Sequence, residues 1–271
     1  MRILIALMAL FALPAHALEL NGAFKQGGLV IGQTVPGARV TLDGEAVDVA
    51  ANGAFVIGFG RDAKAQAVLN VMEPDGKVDE RSLAIAKQTY KIQRIDGLPA
   101  RKVTPKPEDV AHIKADNAKI WGVRGSMSDE ARFITGFQWP VTGPISGVFG
   151  SQRILNGKPK SPHNGVDVAA PTGSIIAAPA DGVVALVASD MFYTGKTVMI
   201  DHGLGLTTVY AHMSDISVVE GQVLAQGDAI GAVGKTGRVT GAHLHWGMTW
   251  KSVHLDPMLA VGPMPKAVSQ E

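Results

Sequence analysis

The chain has 271 residues, 46% of them hydrophobic, with 25 Lys+Arg against 24 Asp+Glu and a formal net charge of +1. That composition excludes a disordered charged tail and offers no bulk positive charge with which to grip nucleic acid. It contains eight His and no Cys, so disulfide scaffolds, thiolate metal sites and cysteine nucleophiles are excluded, and any metal must be held by His, Asp or Glu.

Residues 1–17 have the pattern of an export signal. Arg2 supplies the positive start, Ile3 to Leu13 the apolar segment, and Ala15-His16-Ala17 the small-residue cleavage site. The apolar run of about 11 residues is shorter than the ~20 needed to cross a bilayer, so cleavage after Ala17 is expected rather than anchoring. The expected product is a soluble periplasmic or extracellular protein with no transmembrane anchor. Losing Arg2 and no acidic residue balances its charges, and the absence of Cys suits an oxidising compartment.

Residues 18–90 alternate short apolar-polar stretches with turn signals. Val40 and Leu42 share one face of a strand, Asp43-Gly44 and Asn52-Gly53 mark hairpins, and the run Ala67 to Met72 ends at Pro74-Asp75-Gly76. The spacing predicts a small β-sandwich, similar in pattern to bacterial immunoglobulin-like modules, with no catalytic constellation. Residues 91–136 read as a linker leading into a helix. Pro99, Pro105 and Pro107 punctuate it, Thr104 to Asp109 supply helix-start signals, and Val110, Ile113 and Ile120 form a partial apolar stripe. His112 belongs to no spaced motif and reads as an exposed helical residue.

Residues 137–260 return to glycine turns and Val/Ile strands, and the remaining histidines gather there. His163 and Asp167 are four residues apart around Gly165, and His243 and His245 stand at i and i+2. In a strand, alternate side chains share a face, so His243 and His245 can converge on one cleft. Two imidazoles and a carboxylate would leave a fourth tetrahedral position open, the catalytic rather than the structural zinc arrangement. His212 lies between these motifs in sequence. Residues 261–271 read as a tail.

The stretch from Phe137 to Met258 resembles the lysostaphin/LytM-type zinc metalloendopeptidases, which cut peptide bonds in bacterial peptidoglycan. The resemblance rests on H-x-G-x-D at His163 to Asp167, Val209-Tyr-Ala-His-Met213 and Gly241-Ala-His-Leu-His-Trp246. It is supported by Trp139-Pro-Val-x-Gly143, Ile200-Asp-His-Gly-Leu-Gly205 and the segment Val219 to Gly231. It implies a C-terminal antiparallel β peptidase domain in a mainly β protein. His163, Asp167 and His245 would be its Zn2+ ligands, and His212 and His243 its non-ligand active-site histidines. Tyr193 would be the candidate oxyanion stabiliser.

By that resemblance, a zinc-activated water would attack peptidoglycan stem peptides or cross-bridges, with the two free histidines moving protons. The intact residue set favours an enzyme over the alternative, a catalytically silent wall-binding scaffold or activator of another wall hydrolase. His202 reads as structural and His254 as surface or packing. Gly195-Lys-Thr197 and Gly234-Lys-Thr236 lack the first glycine of a phosphate-binding loop, and no G-x-S-x-G elbow occurs. No nucleic-acid partner is expected. The N-terminal module could bind glycan, contact an envelope protein, or cover the cleft.

Overall fold

The structure, a computed structural model, describes residues 18–125 and 128–265. The expected export signal at 1–17 lies outside the described residues. Among the described residues, no helix is long and apolar enough to cross a membrane.

The N-terminal part contains β1 (Glu19–Gly22), β2 (Leu29–Gln33), β3 (Arg39–Leu42), β4 (Glu45–Val47), β5 (Ala54–Gly58), β6 (Gln66–Met72) and β7 (Val78–Ala84). They form two sheets, ordered β1-β2-β5 and β4-β3-β6-β7. Asp43 and Gly44, at φ 50° and 86°, make the two-residue turn between β3 and β4, a conformation that Asp-Gly tolerates and that matches strand twist. Ala67, Leu69 and Val71 alternate inward along β6 and meet Val30, Phe55 and Ile57 of the other sheet in one core.

The linker is built into the rest of the molecule. β8 (Ile92–Ile95) runs parallel to β10 (Gln152–Leu155), and α1 (Ala100–Val103) leads to α2 (Pro107–Gly125). The expected apolar stripe of α2 is packed only in part: Val110 is exposed, Ile113 and Ile120 are half-buried, and the buried residues are Asp109, Asp116 and Val123. Only the final turns, through Ile120 and Val123, pack on Leu186, Met191 and Met199. Elsewhere the helix is fixed by polar contacts, which hydrophobic periodicity does not register.

The C-terminal part comprises β9 (Ile145–Gly147), β10, β11 (Lys158–Pro159), β12 (Val166–Ala169), β13 (Ile175–Ala177), β14 (Gly182–Met191), β15 (Gly195–Gly203), β16 (Leu206–Met213), β17 (Asp215–Ile216), β18 (Val223–Leu224), β19 (Ala229–Ala232), β20 (His243–Trp250) and β21 (Val253–Leu255). Its main sheet has the order β18-β14-β15-β16-β20-β12-β9, with β21 added to β20. Val166, Val198, Ile200, Tyr210, Leu244 and Trp246 fill the core on one face.

Strand β20 spans the molecule. His243 and His245 stand at its start, while Met248 and Trp250 at its end join the N-terminal core together with Phe133, Leu204, Leu206 and Leu255. At ~3.3 Å per strand residue, that contact starts roughly 10 Å from His245 at Met248 and reaches roughly 17 Å at Trp250. The N-terminal part therefore buttresses the far end of the strand that carries the histidines.

Candidate metal centre

Antiparallel pairing of β12 with β20 sets Asp167 directly opposite His245. Cross-strand partners share a face, so their side chains meet. His163 arrives from the irregular segment before β12 rather than along an extended strand. Gly165 permits the approach, because a Cβ there would collide with the carbonyl of Trp246. His163 Nε2 lies 3.0 Å from Asp167 Oδ1 and 3.0 Å from His245 Nδ1, which is itself 2.8 Å from Asp167 Oδ1. A tetrahedral zinc with ligands at ~2.0–2.1 Å would hold its donor atoms roughly 3.3 Å apart. The three atoms thus form a slightly contracted triangle of the right size and chemistry for such an ion.

The surroundings prepare these donors. The 3.2 Å contact of His163 Nδ1 with the Val148 carbonyl assigns the proton to Nδ1 and leaves Nε2 its lone pair. Burial pushes the His163 pKa down to about 4 despite the neighbouring Asp167, so the ring is neutral at pH 7. Burial would raise the Asp167 carboxyl, but its contacts with His163 and His245 outweigh it and hold the group well below the usual carboxylate range. Arg153 Nη2 donates to Asp167 Oδ2 at 2.6 Å, which leaves Oδ1 for the triangle. Gly147 of β9 faces Asp167, and a Cβ there would strike Oδ2.

His212 reaches the site by an irregularity. Ala211 is the residue opposite His245, so strict alternation would send His212 to the other face. Instead the β15–β16 register shifts between Lys196 and Val198, and His212 adopts φ 65°, which turns its ring back. The ring centroid lies 4.9 Å from that of His243 and 6.1 Å from that of His245. His212 Nδ1 donates to the Thr236 carbonyl at 2.8 Å and His243 Nδ1 to the Gly241 carbonyl at 2.9 Å, so each keeps Nε2 as an acceptor. Burial, then the neighbouring His243 and His245, pushes the His212 pKa down to about 3.

A cleft of about 360 Å³ opens over His163, His212 and His245, with Arg153, Tyr193 and Arg238 on its walls. Its lining contains no residue of 18–90, so the N-terminal module does not cover it here. Tyr193 sits on the β14–β15 turn, which the linker grips. The buried Asp116 carboxylate accepts the Phe192 N–H at 2.8 Å, Lys102 Nζ donates to the Phe192 carbonyl, and His112 Nε2 donates to the Asp190 carbonyl at 3.0 Å. His112 is the exposed helical residue expected, and its ring ties α2 to this turn.

His202 is wholly buried away from this set. It donates through Nδ1 to the Asp181 carbonyl at 2.6 Å and accepts from Thr208 Oγ1 at 2.8 Å. His254 is half-buried beside Thr249 Oγ1 and Asn164 Nδ2. Sequence reasoning missed Arg153, Arg238 and Asp116, because each acts through a neighbour distant in sequence and none belongs to a spaced motif.

Fold and site together define a mainly β protein with a metal-type donor set at the floor of an open cleft. Residues 161–257 match peptidase family M23. Peptidoglycan DD-endopeptidase ShyA of Vibrio cholerae is 40% identical over 111 residues, 41% of this chain and 26% of the relative. DD-carboxypeptidase/endopeptidase Mpg of Neisseria meningitidis serogroup B is 42% identical over 104 residues, 38% of this chain and 24% of the relative. A crystal structure assigned to peptidase M23 from Pseudomonas aeruginosa is 29% identical with a TM-score of 0.66, covering 87% of this chain and 94% of that one. The chain thus carries a peptidase M23 domain, the lysostaphin/LytM type that its motifs resemble. It spans about a quarter of the length of these two curated relatives.

Proposed function

We propose that this chain is an exported zinc metalloendopeptidase that hydrolyses the peptide cross-links of bacterial peptidoglycan, in the periplasm or outside the cell. The observation that carries the reading is the convergence of His163 Nε2, Asp167 Oδ1 and His245 Nδ1 beside a cleft that is also lined by His212, with the His243 ring 4.9 Å from that of His212. The DD-endopeptidase and DD-carboxypeptidase/endopeptidase activities of the two curated relatives support the substrate class.

His163, Asp167 and His245 would hold the zinc. When bound in such a set, zinc lowers the pKa of a water from 15.7 toward ~7 and polarises a carbonyl. The chain's own residues do the rest. Arg153 fixes the second carboxylate oxygen, so Asp167 cannot rotate away from the triangle. His212 and His243, each fixed through Nδ1, present Nε2 to receive the proton of the attacking water and return it to the leaving amine. Tyr193, on the cleft wall, would donate a hydrogen bond from its hydroxyl to the developing oxyanion.

Isolated sacculi incubated with the protein should release uncross-linked muropeptides, and His163→Ala should release none. A His163→Ala protein as active as wild type would overturn the metal assignment.

A further inference from the structure

The cleft is cationic beyond what its metal site uses. Arg153, Lys160 and Arg238 line it, and no Asp or Glu does. Arg153 is committed to Asp167 just beneath. Arg238 is half-buried, with its backbone N–H bonded to the Tyr193 carbonyl at 2.8 Å and its guanidinium 4.5 Å from the centre of the Tyr193 ring. The charged neighbour that acts on it is Arg153, a like charge, and no carboxylate of the described residues offsets it. Burial and that repulsion both pull its pKa below the usual arginine value. A guanidinium held rigid, partly desolvated and unpaired is an anion site awaiting its anion.

From this arrangement we propose that Arg238, with Lys160 in the same cleft, forms a subsite for a free carboxylate on the peptide being cut, beside the scissile bond. This deepens the proposed function and rests on it. An uncharged peptide bridge would leave the guanidinium unpaired in the complex, whereas a carboxylate would engage its planar fork through two hydrogen bonds. The subsite shares its wall with Tyr193, so a carboxylate docked there lies next to the residue assigned to the oxyanion. Two carboxylates could fill it: the α-carboxylate at a chain end, or a side-chain carboxylate of a residue flanking the cleaved bond. The chemistry is the same for both.

The test uses the full-length protein loaded with zinc and synthetic cross-linked stem peptides in three forms: both carboxylates free, only the α-carboxylate amidated, and only the side-chain carboxylate amidated. Wild type should cleave the free form with a kcat/KM ~10- to 100-fold above that of one amidated form, the size of a charge-assisted hydrogen-bonded contact. The form that suffers identifies the carboxylate. In Arg238→Gln the free-to-amidated ratio should fall to within about threefold of one, and in Lys160→Gln it should fall partway. Equal cleavage of all three forms by wild type, or an unchanged ratio in Arg238→Gln, would overturn the subsite. Calorimetric titration of the same peptides separates this outcome from failure of the enzymatic reading. If wild type cleaves none of them, tighter binding of the free form to wild type but not to Arg238→Gln still supports the subsite, and equal binding removes it.

Discussion

Arg153 lies ten residues before His163, outside every spaced motif, yet its guanidinium holds the carboxylate oxygen that the triangle leaves over. Removing a second partner of a metal ligand typically costs ~10- to 100-fold in metal affinity, and Arg153→Met should lower zinc affinity by that much in competition with a chromogenic chelator. An unchanged affinity would mean that Asp167 is oriented without it. His202 makes a different prediction, about stability. Burial pushes its pKa down to about 4 from 6.5, so between those values the folded state binds fewer protons than the unfolded chain. Stability from this residue is therefore complete above pH 6.5 and is lost as pH falls toward 4, by an amount on the order of 3 kcal/mol. Asp256, its pKa raised to about 6 by burial, acts with the opposite sign over part of that window. Denaturant titrations of wild type and His202→Asn at several pH values isolate the histidine: the difference in unfolding free energy should shrink as pH drops from 7 to 4. A difference independent of pH would contradict the assignment of a neutral buried ring. The His163–Asp167–His245 cluster was approachable from sequence because H-x-x-x-D and H-x-H are short-range patterns, and the family resemblance singled out His245 over His243. The sequence carried nothing of the φ 65° at His212, which the β15–β16 register imposes from outside the motif.

At the level of elements, the linker is the largest departure from the sequence reading. β8 pairs in parallel with the strand that bears Arg153, and Gln93 Oε1 accepts from Arg153 Nε at 3.4 Å. On the other wall, α1 and α2 hold the turn bearing Tyr193 through Lys102, His112 and Asp116. A segment outside the matched family residues thus braces both sides of the cleft. Asp116→Ala should leave the Phe192 amide without its acceptor, so its hydrogen exchange should accelerate while that of β20 stays slow. The kcat should fall by about 10-fold with little change in zinc affinity, as expected for lost positioning rather than lost ligation. Asp116→Asn keeps an acceptor oxygen and should restore most of both. Slow exchange at Phe192 in the alanine variant would show that the turn stands without the helix. Helix α2 itself was legible from its proline and acidic start, but its packing face was not. Apolar periodicity pointed to Val110, whereas burial selects Asp109 and Asp116 because their partners, Arg101 and the Phe192 amide, come from other segments.

For the whole molecule, the hairpin turns and alternation of 18–90 foretold strands and the C-terminal motifs foretold the peptidase sheet, but not that the two parts share a core. Phe133, Leu206 and Leu255, each fully buried, sit in one cluster with Phe55, Ile57 and Leu69. Such contacts join residues far apart in sequence, and each part's own patterning is satisfied without them. Continuous packing predicts one cooperative thermal transition for the metal-free protein rather than two, and calorimetry that resolved two well-separated transitions would contradict it. It also sets the N-terminal module at the opposite end of β20 from the histidines, and no residue of 18–90 lines the cleft. The central claim is that the His163–Asp167–His245 triangle holds the zinc on which cross-link hydrolysis depends. Its most direct test is mass spectrometry of muropeptides released from sacculi by chelator-stripped protein titrated with zinc. Release should be absent without metal, rise to a plateau near one zinc per chain, and not be restored in His245→Ala at that ratio. Full release from the stripped protein, or a wild-type plateau matched by His245→Ala, would contradict the account.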